Sequence, residues 1–277
     1  MSERFVLPRA GCDLAGERWP GGMPLVMLLH EGVSDRRGWR QVAELLAPRV
    51  AVVAYDRRGY GESADSTTPF RHTDDLLAVL EAGQAGQAGQ AGQAWLVGAS
   101  AGGGLALDTA LLAPDRVAGL VLFGTAVSGA PDPEQLDPDT QRFDTLLDAA
   151  VEAADLAEIN RLETWLWLDG PAQPEGRVGG SARELALDMN AIILGNAGRE
   201  DDGGSGVDAW SRLDEIRIPV TVGCGGLDVP FLIEQSRELA GRLPRARFRE
   251  LPGMAHQPYL EDPGQVADLI LGALAAG

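Results

Sequence analysis

Lysine is absent from the chain: all 23 basic residues are arginine. That excludes a P-loop, whose lysine holds nucleotide phosphates, and with it Schiff-base, pyridoxal-phosphate and protein-kinase chemistry. Cysteine is nearly absent too, and Cys12 and Cys224 alone can build neither a disulfide framework nor a four-ligand zinc site. Only three histidines occur, His30, His72 and His256, and no two stand at metal-ligand spacing. Apolar runs stop well short of the roughly 20 residues that span a bilayer. Met1 to Phe5 lacks a basic segment followed by an apolar run, so no secretory signal is visible. A cytoplasmic location with free thiols is the expectation.

Acidic residues are plentiful: 41 Asp and Glu give a net charge of −18. Phosphate-bearing partners would be repelled, so neither nucleic acid nor a membrane surface is expected as a partner. The acid is concentrated between Pro131 and Glu215, where 20 carboxylates face 6 arginines for a net of −14. With 277 residues, 45% of them apolar, the chain can build one large globular domain or two small ones.

The apolar runs Leu25–Leu29, Val50–Tyr55, Trp95–Val97 and Val117–Phe123 read as buried strands. Helical spacing falls between them over Trp39–Leu46, Thr73–Glu81 and Ala101–Leu112. Strands that are apolar throughout and alternate with helices predict an α/β fold, a parallel sheet covered on both faces. From 131 to 215 the rhythm breaks into helical patterns near Phe143–Leu156, Leu156–Leu168 and Ala182–Leu194. It resumes with strand Pro219–Gly223, helix Phe231–Gly241, strand Ala246–Glu250 and a helix from about Pro263. The expected organisation is therefore a core of residues 1–130 and 216–277, with 131–215 inserted as a helical subdomain. Four Ala-Gly-Gln triplets between Ala82 and Gln93 read as low-complexity sequence in a helix-to-strand loop, without function.

Chemistry concentrates at Gly98-Ala99-Ser100-Ala101-Gly102, between a predicted strand and a predicted helix. A strand turning into a helix within one residue strains the serine and crowds its neighbours, and Gly98 and Gly102 relieve that crowding. The Ser100 hydroxyl is thereby presented at the sheet edge, at a helix N-terminus whose dipole favours negative charge. A dinucleotide-binding fingerprint is the competing reading, but the glycine spacing does not fit it. A nucleophilic serine needs a base, and the base needs an orienting acid. His256 follows the last predicted strand and Asp228 follows strand Pro219–Gly223, which puts both at the same edge. The plainer alternatives are a surface-loop histidine and a helix-capping aspartate.

The order Ser100, Asp228, His256 resembles that of the α/β-hydrolase superfamily. His30-Glu31-Gly32 is similar to its oxyanion loop, Asp56 to Ser63 to its D-x-R-G-x-G-x-S turn, and Gly253–His256 with Glu261-Asp262-Pro263 to its histidine loop. The resemblance implies that residues 131–215 are the family's helical cap. It also implies a Ser100, Asp228, His256 catalytic triad and an oxyanion hole made by the N–H groups of Gly32 and Ala101. No metal or organic cofactor is implied. The activity implied is hydrolysis of a small ester or lactone, on the pattern of carboxylesterases and enol-lactonases. Haloalkane dehalogenases and epoxide hydrolases carry Asp at the elbow, and Ser100 argues against both. C–C bond hydrolysis, perhydrolysis or cofactor-free haloperoxidase chemistry, lyase chemistry and a non-catalytic binding role are the alternatives. Glu31 departs from the family glycine, and is expected to point away from the oxyanion or to pair with an arginine. His30 and Arg58 are expected to hold loops and not to catalyse. His72 is expected to be an ordinary helix-starting residue and Met254 to pack its loop. Trp39, Trp165 and Trp167 could line an acyl pocket or fill a core.

Overall fold

A computed structural model describes residues 1–84, 92–196 and 204–277. Eight strands form one sheet, with edge-to-edge order β1-β2-β4-β3-β5-β6-β7-β8. In chain order they are β1 (Glu3–Arg9), β2 (Cys12–Trp19), β3 (Leu25–Leu29), β4 (Ala51–Tyr55), β5 (Ala94–Ala99), β6 (Val117–Phe123), β7 (Val220–Gly225) and β8 (Ala246–Leu251). The pairs β1·β2 and β2·β4 are antiparallel, and every other pair is parallel. The order of elements follows the predicted alternation, with the N-terminal hairpin added. That hairpin was not legible as a run: β1 alternates exposed and half-buried positions at the sheet margin, and Pro8 suits an edge strand because it removes a ladder donor.

Helices α1 (Arg40–Leu46), α8 (Pro258–Glu261) and α9 (Pro263–Ala276) cover one face of the sheet, while α2 (His72–Gln84), α3 (Ala101–Leu112) and α7 (Pro230–Arg242) cover the other. The two-residue side-chain period of a strand accounts for the division. Leu25, Met27 and Leu29 of β3 join the cluster beneath α2 and α3, whereas Val26 and Leu28 join the one beneath α1 and α9. All five β3 side chains are buried, which is why its sequence is uniformly apolar.

Between β6 and β7 the described residues form helices α4 (Pro138–Glu152), α5 (Leu156–Thr164), a π-helical turn Trp165–Asp169, and α6 (Gly180–Gly195). They share a small core of Phe143, Ala150, Ile159, Leu162 and Leu166 that continues into Val229 and Leu232 at the head of α7. Residues 85–91 of the Ala-Gly-Gln stretch lie outside the described residues. No described helix is long and apolar enough to cross a membrane.

The order β4-β3-β5 locates the site. From β3 the chain moves outward to β4 and then crosses back to β5, leaving a switch point between β3 and β5. In open α/β sheets the crevice at the carboxyl ends of such strands receives the ligand. Glu31 and Gly32 follow β3 there, and Ser100 follows β5.

Candidate active site

Ser100 joins β5 to α3 at φ 48°, ψ −117°, a conformation that costs a non-glycine residue of order 1–3 kcal/mol. Its neighbours explain how the turn closes. A Cβ on Gly98 would lie 2.3 Å from the Gly102 carbonyl oxygen, and one on Gly102 would lie 2.3 Å from that of Leu29. Only glycine permits both approaches. Serine at a helix N-cap ordinarily accepts from the first turn of the helix, but the Ser100 side chain makes no capping bond. Its backbone N–H donates to the Phe123 carbonyl at 2.8 Å, and its carbonyl accepts from the Ala126 N–H at 3.2 Å.

Those two bonds bracket Gly124, against which the His256 ring lies: a Cβ there would come within 2.8 Å of the ring Nδ1. His256 is buried, and its Nδ1 is 2.8 Å from Asp228 Oδ2. Oδ1 of Asp228 accepts from the Val229 N–H at 2.7 Å, which fixes the carboxylate. The Cys224 thiol, 3.6 Å from Oδ2, is itself pushed up by burial and by Asp228. Nδ1 thus donates to Asp228, and the opposite ring nitrogen, Nε2, faces Glu31. Burial alone would lower the His256 pKa, but Asp228 and then Glu31 outweigh it and push it up to about 9.

Glu31 overturns its expectation. Its carboxylate turns inward and has no arginine partner among the described residues: Gln257 Nε2 donates to Oε1, while Oε2 stands 3.7 Å from His256 Nε2. The nearby arginine, Arg57, donates instead to the Glu31 backbone carbonyl at 2.9 Å. That carbonyl also accepts from His30 Nδ1 at 2.8 Å. Burial raises the Glu31 pKa against the opposing effects of His256 and Gln257. The Tyr259 hydroxyl stands beside the carboxyl and shares a 3.1 Å hydrogen bond with Ser34 Oγ.

His30 ties two loops together as expected. Nε2 accepts the Arg57 N–H at 3.0 Å, so the proton sits on Nδ1 and donates to Glu31. Burial holds its pKa well below the ordinary value, and the ring is neutral. Arg58 forms a forked, buried pair with Asp75 at 2.6 and 3.0 Å, a structural role. His72 begins α2 and packs edge-on against Phe70.

The tryptophans divide. Trp39 is fully buried, stacked 4.3 Å from the Tyr259 ring. Trp165 packs edge-on against Phe143 and donates to the Gln173 carbonyl, so it belongs to the helical segment's core. Trp167 instead lies 4.7 Å from the His256 ring, and its carbonyl accepts the His256 N–H at 3.1 Å. Arg177 adds a second tie from the helical segment to the histidine loop. It donates to the Gly253 carbonyl at 3.0 Å and pairs with Glu261 at 2.6 Å, and Glu261 accepts the Ala255 N–H at 2.6 Å. Gln257, Tyr259 and Arg177 carried no sequence signal, because each acts by reaching an atom distant along the chain.

Gly32 and Ala101 both lie at this edge and are half-buried. A Cβ on Gly32 would meet nothing within 4 Å. Ala101 opens α3, where backbone N–H groups have no intrahelical acceptor.

Known proteins share this fold. A protein named "Putative carbamate hydrolase RutD" from Caulobacter segnis is 30% identical over 263 residues, covering 88% of this chain and 89% of its own. A thermophilic esterase from Thermogutta terrifontis superposes with TM-score 0.73 at 24% identity, covering 99% of this chain and 98% of its own. The enol-lactonase of Burkholderia xenovorans LB400 gives 0.71 at 20% identity, over 98% and 99%. These two establish likeness of fold. The family model for the alpha/beta hydrolase fold matches residues 24–263, a span that takes in the serine elbow, the helical segment and the histidine loop, and the chain belongs to that family.

Proposed function

We propose that this protein is a serine hydrolase that cleaves a small ester or lactone through an acyl-enzyme. The observation that carries the reading is the Asp228–His256 hydrogen bond of 2.8 Å beside a serine held in a strained elbow. Ser100 attacks the carbonyl while His256 Nε2 takes its proton. Asp228 fixes the tautomer and stabilises the imidazolium. The N–H groups of Gly32 and Ala101 receive the oxyanion, each donor contributing about 3 kcal/mol in comparable sites. Water then hydrolyses the ester of Ser100 with His256 as base. Residues 131–215 serve as the cap on a core of 1–130 and 216–277, with Trp167 facing the acyl group. The test is a rate panel of p-nitrophenyl acetate, a small lactone, a carbamate and a diketone. Preferred turnover of the ester or lactone supports the reading. Preferred cleavage of the diketone would replace it with C–C bond hydrolysis, and preferred turnover of the carbamate would move the substrate class while keeping the mechanism.

The raised His256 pKa has a kinetic consequence. Only neutral imidazole accepts the serine proton, and kcat/KM reports the free enzyme. The rise of kcat/KM with pH is therefore expected around pH 9, displaced upward from the 6.5 of an ordinary histidine. Linkage runs the other way for stability. Since the folded pKa lies above the unfolded one, the stabilisation is complete below about 6.5 and is lost as pH rises through about 9. A kcat/KM profile already flat above pH 7 would remove His256 as the titrating base.

Charge predicts a second pattern. The segment from 131 to 215 carries −14 of the total −18, and a cleft of one sign alters association rates by about 10- to 1,000-fold at low salt. Anionic esters are expected to show lower kcat/KM than neutral esters of equal size, with the gap closing as salt is added. Equal rates at low salt would place these carboxylates on an outward, merely solubilising face.

A further inference from the structure

Two acceptor oxygens buried at the site lack a close donor among the described residues, with the Tyr259 hydroxyl the neighbouring polar group of the Glu31 carboxyl. Glu31 Oε2 and Gln257 Oε1 are without a hydrogen-bond partner among the described residues, and both side chains are at least 98% buried. They belong to one unit, since the Gln257 amide N–H donates to the other Glu31 oxygen. That bond also sets the amide orientation, because the flipped amide would set oxygen against carboxylate oxygen. Buried acceptors left unpaired are costly, and a buried carboxylate still more so. An anion beside a developing oxyanion also opposes ordinary ester hydrolysis. The nearest cationic candidate is His256 Nε2 at 3.7 Å, too far for a hydrogen bond.

We propose that Glu31, with Gln257, is a specificity site for a substrate that carries an ammonium or N–H donor on the atom next to the scissile carbonyl. The inference rests on the serine-hydrolase reading and narrows its substrate class to α-amino acyl esters and related lactones. The placement rests on the mechanism proposed above. In that mechanism His256 Nε2 takes the proton of Ser100 Oγ as Oγ bonds the carbonyl carbon, and Glu31 Oε2 is 3.7 Å from that same Nε2. A donor close to the reacting carbonyl, such as one on the neighbouring acyl atom, is thereby brought near Oε2. The charge distribution favours the same ligand: the helical segment packed over the histidine loop is strongly anionic, which attracts a cation and repels a carboxylate. Seating a cation on Glu31 also removes one of the two negative charges that hold the proton on His256, so the substrate itself favours the neutral base.

Alanine methyl ester and methyl isobutyrate differ only in having an ammonium or a methyl group at the α carbon. Assayed where the amine is protonated, the wild type is expected to favour the alanine ester in kcat/KM by about tenfold or more. The α-ammonium group also activates the carbonyl by itself, so the reading is the change of that ratio, which is expected to fall by about tenfold or more in Glu31→Gln. Inhibition of the wild type by 1-aminoethylboronic acid against isopropylboronic acid reads the same preference without a variant, and the cation is expected to bind about tenfold tighter. Equal kcat/KM for the two esters, equal inhibition by the two boronic acids, or a ratio unchanged in Glu31→Gln would each overturn the assignment. If fluorophosphonate labels Ser100 while no cation preference appears, this inference alone falls. If labelling also fails, the serine-hydrolase reading falls with it.

Discussion

Ser100→Ala is expected to lower kcat by about 10⁶-fold on any ester the wild type turns over, with the melting temperature little changed. The magnitude follows from how triads behave elsewhere, where loss of the serine alone costs nearly as much as loss of all three members. What remains is binding and oxyanion stabilisation acting on water. Folding should survive because the elbow is set by backbone bonds to Phe123 and Ala126 and by the Gly98–Gly102 approach, none of which uses the hydroxyl. Rates and a thermal melt on the same preparation check both parts. Turnover above about a thousandth of wild type would point to another nucleophile.

Asp228→Asn is expected to cost about 10⁴-fold in kcat, as amide replacement does in another serine triad. An amide can still accept from the Val229 N–H through Oδ1, so the loop keeps its shape. Its NH2 then meets Nδ1 where Oδ2 did, at 2.8 Å in the native protein. The imidazole responds by carrying its proton on Nε2, the atom that must accept from Ser100. The variant should also show its pH midpoint displaced downward, since Asp228 is the larger of the two charges raising His256. A loss smaller than about tenfold would make Asp228 a cap of α7 and not the orienting acid.

How much of this was visible in the sequence depended on whether a residue's role was local. Ser100 was legible because its glycines are demanded by backbone approach within five residues. Asp228 and His256 were legible because the predicted strands fix where the chain emerges at the sheet edge, and each residue stands within five positions of the end of β7 or β8. Glu31 was legible as an anomaly but not in its direction. Its inward turn depends on Gln257 and Tyr259, more than 200 positions away. Trp165 and Trp167 look alike in sequence, and a π-helical turn sends one to Phe143 and the other to His256. The half-exposed β1 edge strand offered no apolar run to read.

The most direct measurement is to react the intact protein with a fluorophosphonate and locate the adduct by peptide mass spectrometry. The account predicts a single adduct on Ser100, formed faster as pH rises towards about 9 and absent from Ser100→Ala. No adduct on the active wild type, or an adduct on another residue that persists in Ser100→Ala, would contradict it.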